Sequence, residues 1–182
     1  LSSLRTYEYT GNPNWLYTLV DTKSTKDLDL LPSPQTTQES LRIIQQEVEL
    51  AKKNGEVLFI DQRQLLTFGY ITDLPFVPEY EKKILMNEAL SSSVSYFRNF
   101  YEDLAAKRFA LIVSEPLRTP IKDSTFGFGE ENNAWVEWVS NPVLCYYEEK
   151  ILLKEVGVQL LIPKSESVNC NAQLPKDFPL EP

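Results

Sequence analysis

The sequence predicts an α/β fold, in which a small three-layer sheet with parallel strands has helices on both faces and a C-terminal antiparallel hairpin. Two continuous apolar runs, VLFI in residues 57–60 and FALIV in residues 109–113, have the composition of strands that are buried on both faces. Amphipathic helical patterns lie before and between these runs, and such alternation is typical of α/β proteins. Because neighbours along a strand point to opposite faces, two residues of each run are expected to be almost fully buried: Leu58, Phe59, Leu111 and Ile112.

Composition limits the function classes. The chain has 182 residues, of which 42% are hydrophobic and 24% charged, as in a globular domain with some peripheral segments. The net charge of −8 disfavours binding to nucleic acid, which requires clustered Lys and Arg. His is absent, which excludes Ser-His-Asp and Cys-His hydrolases and removes the commonest metal ligand. No cofactor, metal or catalytic residue is predicted.

Proline and turn signals divide the chain into three parts. Residues 1–35 are predicted to form an extended N-terminal arm or linker, since Pro32 and Pro34 block a helix. Within it, residues 15–20 form either a short edge strand or an apolar patch that docks on the domain. Residues 36–163 form the α/β domain, and residues 164–182 form a polar C-terminal tail. The start at Leu1 is expected of a processed or excised chain.

The first helix has the clearest sequence signals. Thr36 and Glu39 match a capping box, and Asn54-Gly55 is predicted to supply a left-handed C-terminal cap. The apolar stripe between them has spacings of three and four and consists of Leu41, Ile44, Val48 and Ala51. The strand over residues 56–60 follows directly.

Two further helical regions lie between the predicted strands. Residues 62–68 are expected to form a short helix with Leu65, Leu66 and Phe68 directed inward, and Gly69 closes it. Pro78 opens the next helix, which runs to about Leu90. Another apolar stripe then leads to the strand over residues 109–113, and it consists of Val94, Phe97, Tyr101 and Leu104.

After the second strand, residues 117–130 are predicted to form a long mobile loop, suited to a lid or a contact surface. Its Gly127-Phe128-Gly129 lacks the spacing of a phosphate-binding loop. A helix over residues 131–146 follows, with Trp135 and Trp138 in the core and Pro142 kinking or ending it. Residues 150–154 and 158–162 then form a hairpin around Gly157.

The chain contains two cysteines, Cys145 and Cys170. We expect two free thiols, one buried and one exposed. The alternative is a single bridge that ties the tail to the core, which requires an oxidising compartment.

The candidate ligand-binding residues follow the two predicted strands. Asp61 and Glu115 are expected at the same edge of the sheet, where paired carboxylates can bind a metal or sugar hydroxyls, or act as acid and base. The favoured alternative is that Asp61 caps the short helix and Glu115 pairs with Arg63 or Arg118. The two arginines can form an anion site, although internal ion pairs are the favoured role.

The order of four segments carries a resemblance over residues 36–163: LRIIQQEVELAKKNGEVLFIDQRQLLTFG, VPEYEKKILMNEAL, KRFALIVSEPL and VGVQLLIP. It resembles the soluble C-terminal, extracytoplasmic domain of bacterial multi-span membrane proteins related to the dolichyl-phosphate-mannose-type glycosyltransferases. The resemblance implies a small α/β domain that follows a bundle of membrane helices. It also implies that the catalytic acid lies in the membrane part, so no catalytic residue is assigned to this chain.

Three function hypotheses follow. The first is a non-catalytic accessory domain of a membrane-attached lipid-linked-sugar glycosyltransferase, with the membrane-embedded part of the same polypeptide as partner and a sugar or lipid-linked sugar as a possible ligand. The second is a free-standing enzyme that acts on a sugar or phosphate substrate through Asp61 and Glu115. The third is a protein-interaction module. The coding sequence upstream of Leu1 distinguishes the first hypothesis from the others.

Overall fold

A computed structural model describes residues 32–121, 133–166, 169–175 and 178 of the chain. The chain divides into two compact units, Leu1–Ser33 and Pro34–Pro182, and the described structure belongs almost entirely to the second. The apolar stretch at residues 15–20 and the glycine pair at residues 127–129 lie outside the described residues.

The described part of the chain contains helices between its first three strands and ends in two consecutive strands. In order, they are α1 (Pro34–Ala51), β1 (Glu56–Phe59), α2 (Gln64–Thr67), α3 (Lys82–Leu90), α4 (Val94–Ala105), β2 (Phe109–Ser114), α5 (residues 133–146), β3 (Tyr147–Leu153) and β4 (Val158–Pro163). Short 3-10 turns occur at Pro78–Tyr80, Lys154–Val156 and Asn171–Gln173.

The four strands form one mixed sheet in the order β1-β2-β4-β3. β1 and β2 are parallel, whereas β4 is antiparallel to both β2 and β3. Gly157, at φ +64°, lies in the left-handed conformation between β3 and β4, which glycine adopts without steric cost. The α/β class and the C-terminal antiparallel hairpin are therefore confirmed.

The sheet is covered on both faces. On one face, α1 packs Ile44 and Val48 against the strands. On the other face, α3, α4 and α5 pack around residues such as Leu85, Phe97 and Trp138. The predicted two-sided burial is confirmed, since four residues have exposures of 0%, 2%, 1% and 0%: Leu58, Phe59, Leu111 and Ile112. Among the described residues, no helix has the length and apolarity that a membrane crossing needs.

The ends of α1 differ from the prediction. The helix begins at Pro34, so Thr36 and Glu39 lie inside it, and Glu39 forms an ion pair with Arg42 instead of a capping box. Proline suits this position because the first helical residue needs no N–H donor. Gly55 does not have the expected positive φ. It is instead needed for close packing, because an added Cβ would lie 3.1 Å from the carbonyl oxygen of Arg108.

The region between β1 and α3 contains two further corrections. Phe68 is 61% exposed, so its predicted inward orientation is wrong. The helix ends with Phe68 as its C-terminal cap, followed by Gly69 at φ +69°, and this turn carries the ring away from the core. Pro78 opens a 3-10 turn, and α3 begins only at Lys82 because Glu81 is extended.

Helix α5 passes through Pro142 without ending. The helix has a π-helical segment at Val136–Ser140 directly before the proline and continues to Tyr146. Pro142 has no N–H to donate to the carbonyl of Trp138, four residues earlier. The buried hydroxyl of Tyr101 donates to that carbonyl at 2.9 Å. Helix α4 thereby supplies the donor that α5 lacks.

The cysteines correct the expectation of two free thiols. Cys145 and Cys170 form a disulfide across a sequence separation of 25 residues. Cys145 lies in the last turn of α5, and Cys170 lies beyond β4. The local sequence pattern does not predict this pairing. The disulfide forms only because the chain returns to α5 after the hairpin.

The hydrogen bond from Tyr101 to Trp138 makes a specific contribution to stability. We expect Tyr101→Phe to lower the free energy of unfolding by about 1–3 kcal/mol, because the substitution leaves a buried carbonyl without that donor. Urea unfolding measures the change. Tyr70→Phe is the matched control, since Tyr70 is an exposed tyrosine and the same atom is removed. Equal effects of the two substitutions would contradict this role for Tyr101.

Candidate functional site

Asp61 and Glu115 meet at the carboxyl end of the parallel strands. The ladder continues one residue past β1, where the N–H of Ile60 donates to the carbonyl of Val113. At the next position the N–H of Glu115 lies 2.7 and 2.8 Å from the two carboxylate oxygens of Asp61. The predicted shared edge is therefore confirmed. The side chain of Asp61 takes the place of a backbone acceptor at the point where the two strands separate.

The expected helix cap at Asp61 is wrong. Helix α2 begins at Gln64, and its N-cap residue is Arg63, which makes no side-chain capping bond. The turn between β1 and α2 therefore leaves the carboxylate of Asp61 directed toward β2. Asp61 joins two strands rather than starting a helix.

Lys82 completes the cluster and was not a candidate in the sequence. As the first residue of α3, it donates its backbone N–H to the carbonyl of Ile60 at 2.6 Å. Its ammonium lies 3.0 Å from a carboxylate oxygen of Glu115 and 3.9 Å from one of Asp61. In the sequence, Lys82 is recognisable only as a lysine near a helix start after Pro78. That pattern does not indicate that its side chain reaches the ends of two strands.

The three side chains differ in burial, and this sets the electrostatics. The side chain of Asp61 is 2% exposed, that of Lys82 is 23% exposed and that of Glu115 is 44% exposed. Desolvation raises the pKa of Asp61 to about 7, and the negative charge of Glu115 adds to this effect. The N–H of Glu115 and the charge of Lys82 act in the opposite direction and lower the pKa. Burial outweighs them because a carboxylate loses most of its hydration there.

The residues that follow β2 donate backbone hydrogen bonds to side chains of both neighbouring strand regions. On the β1 side, Asp61 accepts from Glu115. On the β4 side, Gln159 accepts from the N–H of Leu117 at 2.9 Å and donates to Glu149 at 2.7 Å. These bonds hold the strand exit in place. The hydroxyl of Ser114 is buried at this edge, with no hydrogen-bond partner within the described part of the chain.

The candidate arginine Arg63 pairs with Glu81 rather than with either of the two candidate acids. Arg63 donates to Glu81 at 2.6 Å and lies over the ring of Phe76 at 4.8 Å, so its favoured role in an internal ion pair is confirmed. Arg118 is exposed, four residues beyond the end of β2. Glu115 pairs with Lys82 rather than with Arg63.

In this cluster, Asp61 can take up or release a proton near neutral pH, and the exposed carboxylate of Glu115 can bind polar groups. Two surface grooves, of about 380 and 420 Å³, are lined by other residues and include none of the site candidates. Across residues 32–121, 133–166, 169–175 and 178, no group of three or more Asp, Glu or Cys side chains is placed to hold a metal ion.

Comparison of the chain with protein-family models, with curated proteins and with solved structures finds no match in any of the three.

The raised pKa of Asp61 makes stability depend on pH. The folded state holds the proton up to about pH 7, whereas the unfolded chain releases it near pH 4. The contribution of Asp61 to stability is therefore greatest below pH 4 and is lost as the pH rises to 7, by roughly 4 kcal/mol at most. We expect Asp61→Asn, which cannot ionise, to gain stability relative to the wild type over this interval.

Urea unfolding of both proteins at several pH values between 4 and 8 measures this difference. Asp73→Asn is the matched control, because Asp73 is exposed and lies at a positive φ that asparagine also tolerates. Its profile is expected to run parallel to that of the wild type. A constant difference between Asp61→Asn and the wild type across the range would contradict the assignment.

Proposed function

We propose that this chain is a non-catalytic accessory domain, held outside the cytoplasm, of a membrane-attached lipid-linked-sugar glycosyltransferase. The observation that carries the proposal is that both candidate carboxylates are bound to groups of the protein itself. Asp61 ties β1 to the residue after β2, and Glu115 is paired with Lys82. Such contacts are expected of groups that hold a sheet edge together.

The contacts of Asp61 explain why a structural role is favoured. Its two oxygens face the backbone N–H of Glu115, and its side chain is almost fully buried. An acid or base catalyst must reach a substrate atom at hydrogen-bond distance. In this arrangement a substrate would have to displace Glu115 or Lys82 before it reached Asp61.

The disulfide supports a location outside the cytoplasm. Bridges such as Cys145–Cys170 form and persist in oxidising compartments and are rare in the cytosol. The location also agrees with the resemblance noted above, which places a small α/β domain after a bundle of membrane helices. The expected partner is that membrane-embedded part of the same polypeptide.

An enzyme that acts on a sugar or phosphate substrate is the second candidate. The favouring observation is an Asp61 whose pKa is raised to about 7, beside a second carboxylate and a lysine. A carboxyl group with a pKa near neutrality suits general acid–base work. Glu115, which is about half exposed, would then be the group that first meets the substrate.

A double substitution in the full-length parent protein separates the two candidates. We expect Asp61→Asn combined with Glu115→Gln to retain sugar transfer from a lipid-linked donor to within about threefold. Loss of a general acid or base would instead reduce the rate by about 10²–10⁴-fold. The measurement is the transfer rate in membranes that contain equal amounts of wild-type or substituted protein.

Thermal unfolding of the isolated domain checks that the double variant is folded. A folded variant whose transfer rate falls by a hundredfold would overturn the accessory role and make the cluster an active site. The coding sequence upstream of Leu1 provides an independent check. Several hydrophobic spans there would agree with the membrane-attached parent, and their absence would favour the free enzyme.

A further inference from the structure

The chain beyond β4 returns to the helical face of the domain. The N–H of Lys164 still donates to the carbonyl of Tyr146 at 3.0 Å, and the chain leaves the sheet after this bond. Residues 169–175 together with Phe178 then lie against α4 and α5, and we name this segment the strap. Cys170 of the strap is bridged to Cys145 of α5.

Three kinds of contact attach the described part of the strap to the body. They are the disulfide, the apolar packing of Leu174 and Phe178 on the core, and the contact of the Arg98 guanidinium with the Phe178 ring. The backbone hydrogen bonds of the strap join its own residues: the N–H of Gln173 donates to Cys170, and that of Phe178 donates to Pro175. Among the described residues, no backbone bond links the strap to a strand or a helix of the body.

The strap covers an aromatic surface. The ring of Phe178 lies 5.0 Å from that of Tyr101 and 6.2 Å from that of Trp138. The Phe178 ring also contacts Arg98, whose guanidinium lies 5.9 Å from the centre of the ring. Tyr101 and Trp138 are almost fully buried, and removal of the strap would expose part of both.

A groove lies beside the bridge. It has a volume of about 420 Å³ and is lined by residues of α4, by Tyr146 at the end of α5 and by Cys170 with its neighbours. Cys145 is 7% exposed and Cys170 is 1% exposed, so Cys145 is the more accessible of the two. The groove reaches the bridge at Cys170, so a small thiol can approach the bridge from that side.

We propose that the strap is a disulfide-locked cover, which opens when the Cys145–Cys170 bridge is reduced and leaves the sheet and helices folded. The bridge is the lock because, in the described part of the strap, the other attachments are apolar and ring contacts and include no backbone hydrogen bond to the body. Opening uncovers the Tyr101–Trp138 surface. This inference does not depend on the proposed function.

The reducing agent is a dithiol. One of its sulfurs, as the thiolate, attacks one Sγ of the bridge, the sulfur–sulfur bond breaks, and the other cysteine leaves as a thiolate that takes up a proton. The second thiol of the reagent then attacks the mixed disulfide as a thiolate and releases the remaining cysteine, which takes up a proton. The net reaction gives two protein thiols and one oxidised reagent disulfide.

Hydrogen exchange with mass spectrometry of the full chain, with and without dithiothreitol, tests the inference. We expect the amides of residues 169–174 to exchange at least about tenfold faster after reduction, since the strap loses its cross-link to α5. Amides of β2 and β4 are expected to keep their protection to within about twofold. The double substitution Cys145→Ser with Cys170→Ser should match the reduced protein and should not respond to dithiothreitol.

Phe178→Ala with the bridge intact separates the lock from the packing. We expect a smaller increase in strap exchange for this variant than for reduction. The inference would be overturned if Phe178→Ala freed the strap as fully as reduction does, or if the strap kept its protection after reduction. It would also be overturned if β2 and β4 lost protection together with the strap, because the bridge would then hold the whole fold.

Discussion

The burial of β2 between two partner strands and two helical layers is the constraint on which the rest of the structure depends. Phe109–Ser114 pairs with β1 on one side and with β4 on the other. Leu111 packs toward α1, and Ile112 packs toward the aromatic layer of α4 and α5. Both faces and both edges of the strand are therefore covered, and the helices on each face pack around it.

Charged side chains close the two ends of the β1–β2 pair. At the amino end, Arg108 binds Glu56, Asp103 and Glu79, and hydrogen bonds to Glu56 and Asp103 raise the pKa of its guanidinium. At the carboxyl end, the acceptor is Asp61, with Lys82 beside it. The chain therefore uses polar groups at the points where backbone pairing stops. This use is the physical reason that conspicuous acids at a strand end do not by themselves indicate catalysis.

Burial patterns were readable from the sequence, whereas element boundaries were less so. Two apolar runs and helical stripes predicted the strands, both covered faces and the hairpin at Gly157, since each depends on neighbours in sequence. The start of α1, the exposed ring of Phe68 and the π-helical segment before Pro142 differed from the prediction or were not predicted. In each case the outcome depends on a contact outside the element, such as the Tyr101 hydroxyl that accommodates Pro142.

The same division applies to the candidate site. The sequence by itself determined that Asp61 and Glu115 share an edge, because two strands that are buried on both faces and joined through helices run parallel. Only the tertiary structure decided that Lys82 joins them, that Arg63 turns to Glu81, and that the cysteines are bridged. Backbone periodicity specifies the direction in which a residue points. The partner that it meets depends on how separate elements pack, and that packing is a property of the whole chain.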